Sequence, residues 1–291
     1  MKRIGCIFLC LTIVGCLLGC RQDKPETQIV ATTQPVYDFT TAICEGTGIT
    51  VSKLITESVS CLHDYTLQVS QMRAIEGAEV VVLSGAGMED FLEDSLLAAK
   101  KTVDCSQGIT LICPDKDAHH HEDHHHDTDS HIWLSPANAS IMAENIYKSL
   151  SSIYPANKEI FKRNFSALQE SLAELSAYGK EKLGVLSCRD IITFHDGFSY
   201  MAQAFDLHII HAIEEESGSE ASAAELISLT KMVAEHNLPA IFTECNGSTS
   251  AAEIISAETG ARIYDLDMCM SHRNYFDAMK HNIDTLKEAL E

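Results

Sequence analysis

The 291-residue chain is predicted to fold as α/β: two Rossmann-like lobes with parallel sheets, joined by a long rigid backbone helix. Three observations predict this. Short apolar, β-branched runs alternate with longer helical patterns in both halves, as parallel sheets covered on both faces require. An unusually long helical pattern separates the halves. Hydrophobic residues make up 45% and charged residues 22%, the balance of a folded chain with a sizeable core.

In the first half the spacing predicts strands at 29–33, 50–55, 80–83, 102–104 and 110–113, with helices at 36–44, 70–75 and 88–99. In the second half strands are expected at 190–194, 208–213, 240–243 and 262–267, with helices at 197–204, 223–235, 250–258 and 275–290. Between them, Ser135-Pro136 opens a helix to about residue 153, Pro being well tolerated at the first helical position. Pro155 interrupts it. From 157 to 183, Phe161, Phe165, Leu168, Leu172 and Leu175 recur at helical spacing. Such a helix is about 40 Å long, enough to run behind both lobes.

The first twenty residues read as an address. Lys2 and Arg3 precede an uncharged run of 16 residues, Ile4 to Gly19, which closes in Leu17-Leu18-Gly19 directly before Cys20. That run is short for a membrane span and has the shape of a secretory signal. Its end resembles the lipobox of bacterial lipoproteins, with Cys20 as the acylated residue. The expected organisation is a signal at 1–19, a tether at 20–28, an N-terminal lobe at 29–154, a linking helix at 155–184 and a C-terminal lobe at 185–291. The protein is thus expected outside the cytoplasm, on the membrane through the lipid at Cys20, and monomeric.

Charge narrows the partners. Lys+Arg number 21 against 42 Asp+Glu, a formal −21, a field that repels nucleic acid and attracts cations. Of the 11 cysteines, the seven beyond Cys20 form no CxxC. Buried apolar packing is the expectation for most, with a Cys245–Cys269 bridge as a further option.

The histidines carry the chemistry. Half of the 14 lie in 115–131, a polar low-complexity loop. His119, His120, His121, His124, His125 and His126, interleaved with acids, suit secondary capture of a borderline cation such as Zn²⁺. Elsewhere His63 follows the strand at 50–55, His131 follows that at 110–113, His195 caps that at 190–194, and Asp267 caps the last strand. All four follow carboxyl ends of strands, where open α/β sheets place ligands. If the lobes face each other, three imidazoles and one carboxylate form a tetrahedral zinc site in the cleft between them. Cys61 is a weaker candidate, and Asp265 competes with Asp267. Ligating imidazoles must be deprotonated, so affinity should fall near and below about pH 6–6.5.

At these residues the sequence resembles the zinc/manganese family of metal-binding solute-binding lipoproteins of ABC importers. The resemblance rests on His63-Asp64-Tyr65, Ala78-Glu79-Val80-Val81-Val82-Leu83-Ser84-Gly85 with Met88-Glu89, and Asp129-Ser130-His131-Ile132-Trp133-Leu134. Phe194-His195-Asp196-Gly197-Phe198, Glu216-Ser217-Gly218-Ser219-Glu220, Ile241-Phe242-Thr243-Glu244 and Glu258-Thr259-Gly260-Ala261 extend it over nearly all of 28–291. It implies two lobes on a rigid helix, a metal held at positions matching His63, His131, His195 and an acid near Asp267, and delivery to a separate permease and its ATPase. The His-rich loop resembles the zinc-handling branch. Manganese-binding relatives tend to carry a carboxylate where His195 stands, so imidazole there favours zinc. The chain departs from the family pattern at Ser58-Val59-Ser60-Cys61-Leu62, Ser130 and Ser135.

Other readings are a manganese or iron receptor, a surface adhesin or metal-storage lipoprotein, and a zinc hydrolase with Asp196 or Glu244 as base. No HExxH or comparable hydrolase motif accompanies the ligands, so no enzyme activity is expected.

Overall fold

The computed structural model describes residues 28–59, 62, 65–113, 128–213, 222–245 and 247–291. The signal, Cys20, His63 and the six loop histidines lie outside them. Strands β1 (Ile29–Ala31), β2 (Val51–Lys53), β3 (Val80–Leu83) and β4 (Thr102–Asp104) form one sheet in the order β2-β1-β3-β4. Strands β5 (Asp190–Thr193), β6 (His208–Ala212), β7 (Ala240–Glu244) and β8 (Arg262–Leu266) form a second, in the order β6-β5-β7-β8. Every pairing is parallel. In each sheet the chain steps one way from its first strand and then the other, so a crevice opens beside that strand's carboxyl end.

The helices are α1 (Gln34–Cys44), α2 (Val69–Gly77), α3 (Glu93–Leu96), α4 (Pro136–Ile153), α5 (Lys158–Leu183), α6 (Ser199–Phe205), α7 (Ala223–Glu235), α8 (Ser250–Thr259) and α9 (Tyr275–Leu290). The expected backbone helix is α5, 26 residues long. It packs on α1 and α4 from the first half and on α6 and α9 from the second. Phe161, Leu168, Leu172 and Leu175 are buried along it. Phe165 is only partly buried and stacks on Tyr147, with ring centroids 4.8 Å apart. One hydrophobic core runs through both halves along this helix, and a second fills the sheet β5–β8 against α7 and α8.

Two expectations are corrected. The run 88–99 is not one helix: a 3-10 turn at Asp90–Leu92 leads into the single-turn α3. Residues 110–113 form no strand, because their backbone groups are used elsewhere. The Ile112 N–H donates to the Tyr200 hydroxyl (3.0 Å), and the Ile112 carbonyl accepts from Asp129 N–H (2.8 Å). The segment is a brace between the halves, not a sheet member. Cys245 and Cys269 are both free thiols, so the optional bridge is absent.

Glu89 pins the first sheet's carboxyl edge. Its carboxylate accepts from Thr32 Oγ1 (2.6 Å), Ser84 N (2.7 Å) and Gly85 N (2.9 Å). Complete burial pushes it up to about 7 against those hydrogen bonds. The folded state therefore holds a proton that the unfolded chain has released at such pH, and stability falls as pH rises from about 4.5 to 7. Urea unfolding of metal-free protein should show that fall, and Glu89→Gln should flatten it; an equal slope in the variant would exclude Glu89 as its source. Gly179, inside α5, has no room for a side chain: a Cβ would lie 2.2 Å from the buried Phe205 ring. Gly179→Ala should cost about 1–3 kcal/mol by urea unfolding through overpacking, despite alanine's better helix propensity. A stabilised variant would show that the ring yields freely.

Candidate metal centre

His131 stands at the start of a 3-10 turn, Ile132–Leu134, whose three side chains are completely buried. Ser135 then caps α4, its hydroxyl accepting from Asn138 N–H, and Pro136 opens the helix. The imidazole is fixed by Asp129, whose Oδ1 accepts from both the His131 backbone N–H and Nδ1, each at 2.9 Å. Burial pushes the Asp129 carboxyl up, but the His131 ring and amide outweigh it and hold it below the ordinary carboxylate range. With Nδ1 given to Asp129, Nε2 is the ring atom offered to a metal.

His195 follows β5, held by Thr193 Oγ1 donating to its carbonyl at 2.9 Å. Its Nδ1 lies 3.0 Å from Glu244 Oε1, at the end of β7. The pair therefore flanks the crevice between β5 and β7. Each of the two histidines has a buried carboxylate beside Nδ1. Carboxylate–imidazole pairs of this kind set the tautomer and aim of metal-binding histidines. Neither Asp129 nor Glu244 was read from the sequence as an orienting group; a carboxylate two residues before a candidate histidine was the available signal for the first. Glu244 is 49 residues from His195 in the chain and only the β5–β7 adjacency brings them together.

The fold sets the two imidazoles side by side. The rings of His131 and His195 meet edge to face, with centroids 5.1 Å apart. Gly197 makes this approach possible: a Cβ there would lie 2.8 Å from both His131 Nδ1 and His195 Cδ2, and 2.5 Å from the Met268 methyl. Trp133 is a packing residue that also ties the site, its Nε1 donating to Met268 O at 2.8 Å.

Asp267 follows β8 and is buried. Asn282 clasps its backbone from both sides, with Nδ2 donating to the Asp267 carbonyl and Oδ1 accepting its N–H, each at 2.7 Å. Its Oδ2 accepts from Ser271 Oγ and from Arg273 Nη1, the latter at 3.0 Å. Among the described residues, no third His, Cys, Asp or Glu joins His131 and His195 with all donor atoms within 4.8 Å of one another. His63 lies outside them.

Comparison with known proteins matches this architecture. The family model for the periplasmic zinc-uptake complex component A, ZnuA, matches residues 29–289. The zinc-binding lipoprotein AdcA of Streptococcus pneumoniae is 30% identical over 100% of this chain, which spans 62% of that relative. A Treponema pallidum protein is 29% identical over 99% of this chain and 97% of its own length. The crystal structure of ZnuA superimposes with a TM-score of 0.79 at 29% identity, covering 91% of this chain and all of that one.

If the buried carboxylates aim the imidazoles, Asp129→Asn and Glu244→Gln should each weaken Zn²⁺ binding by about 10–100-fold in calorimetric titration. Unchanged affinity in both would deny them that role.

Proposed function

The chain belongs to the zinc-uptake complex component A family, and on that premise we propose that it is an extracytoplasmic receptor that captures Zn²⁺ between its lobes and delivers it to an ABC permease driven by a separate ATPase. The observation that carries this reading is the meeting of His131 and His195 at 5.1 Å, one imidazole from each half of the chain. Two neutral imidazoles, each with its Nδ1 beside a carboxylate, make half of a tetrahedral zinc site.

His63 supplies the third donor in this proposal. Asp267 supplies the fourth: the two side-chain hydrogen bonds described for it both fall on Oδ2, so Oδ1 is the atom it offers. The lobes are residues 29–154 and 185–291, with 155–184 as the linking helix. The mainly imidazole donor set favours zinc over manganese. His119, His120, His121, His124, His125 and His126 gather zinc beside the cleft, and the acidic surface raises local cation concentration. Acylation of Cys20 tethers the protein to the membrane; among the described residues no helix is long and apolar enough to cross one. The protein works by binding and release, not catalysis, as a component of uptake.

Competition with a chromophoric chelator tests the cleft. His131→Ala and His195→Ala should each weaken the tight site more than about 100-fold, beyond the effect of losing an orienting carboxylate. Deleting residues 118–127 should leave one tight zinc. Wild-type affinity in both alanine variants, with tight binding lost on loop deletion, would replace the cleft receptor with a loop that stores metal.

A further inference from the structure

A second group of metal donors lies on the outer edge of the C-terminal sheet. Cys245 follows β7, Asp265 lies within the edge strand β8, and His281 lies in α9. The Cys245 backbone is fixed to the neighbouring strand, its N–H donating to Leu266 O at 3.0 Å. The thiol Sγ is 2.9 Å from Asp265 Oδ2, and His281 Nε2 is 3.2 Å from the same oxygen. One donor atom from each residue lies within 4.8 Å of the others. Cys245 and His281 are half-buried and Asp265 is exposed, so solvent ions reach the group.

We propose that Cys245, Asp265 and His281 form a second zinc site, distinct from the His131–His195 pair and independent of whether that pair holds metal. One sulfur, one oxygen and one nitrogen donor suit a borderline cation; thiolate selects against magnesium, calcium and manganese. Zinc bonds of about 2.0–2.3 Å place tetrahedral donors roughly 3.3–3.8 Å apart. The observed spacings need only a small opening to reach that range. Asp265 Oδ2 now holds the trio together by accepting from the thiol and from the imidazole. A metal ion replaces both contacts. The Cys245 S–H proton leaves to solvent as the Zn–S bond forms, and the His281 proton given to Asp265 from Nε2 passes through solvent to Nδ1, so that Nε2 binds the ion with its lone pair.

The local charge fits a dication. Arg273 Nη1 lies 3.4 Å from Cys245 Sγ and 3.0 Å from Asp267 Oδ2. Two carboxylates and the new thiolate against one guanidinium leave a formal charge of about −2, which Zn²⁺ neutralises. Arg273 thus stabilises the thiolate without filling the metal position, its guanidinium anchored on the buried Asp267 carboxylate. Three protein donors leave a fourth position for water, so the ion is exchangeable, unlike one in a closed structural site.

Cobalt titration of the full chain, reduced and metal-free, tests the assignment, because neither the His-rich loop nor the His131–His195 pair contains sulfur. The expected result is a thiolate-to-cobalt charge-transfer band that zinc bleaches. The band should be lost in Cys245→Ser and in His281→Ala, and should persist in the His131→Ala/His195→Ala double variant. In the wild-type chain, zinc should protect Cys245 from alkylation, as mapped by peptide mass; this readout does not depend on any variant folding. Absence of the band and of protection, a band surviving in Cys245→Ser or His281→Ala, or its loss in the double variant would overturn the proposal.

Discussion

Buried polar groups must find partners, and around His131 several of them find theirs across the two halves of the chain. Trp133 Nε1 donates to Met268 O, the Tyr275 hydroxyl to Trp133 O, and the Tyr200 hydroxyl to Asp129 O. All of these groups are shielded from water, where an unmade hydrogen bond costs about 1–3 kcal/mol. The segment 129–134 belongs to the first half by sequence, yet its hydrogen bonds are completed by the second. That requirement holds the His131 imidazole against the carboxyl edge of the other sheet, and the rest of the centre is built on it.

The parallel sheet then determines what His131 meets. A sheet wound in both directions from its first strand opens a crevice at that strand's carboxyl end. In the second sheet His195 leaves from β5 and Glu244 from β7, either side of that crevice. Gly197 removes the side chain that would separate the rings. The result is two imidazoles, each backed by a carboxylate, at the junction of the halves.

The linking helix α5 supplies the stiffness behind this junction. It packs on α1 and α4 on one side and α6 and α9 on the other, within a single hydrophobic core. The proximity of Arg273 to both Asp267 and Cys245 means that the two positions share one guanidinium.

Much of this was legible in the chain itself. Strand–helix alternation, the 26-residue helix, the Ser135-Pro136 start of α4, and His195 at the sheet's carboxyl edge all follow from local periodicity, capping chemistry and side-chain type; the place of His131 does not, since the strand expected before it at 110–113 does not form. Residues 110–113 show where local reading ends: a β-branched, apolar run looks like a strand, but its hydrogen bonds go to Tyr200 and Asp129. Glu244 behind His195, the clasp of Asn282 on Asp267, and the gathering of Cys245, Asp265 and His281 were equally out of reach. Periodicity carries information over a few residues, because it reports one face of one element. Pairing of a buried carboxylate with a distant imidazole depends on which strands become neighbours, and that is decided only when the whole core closes.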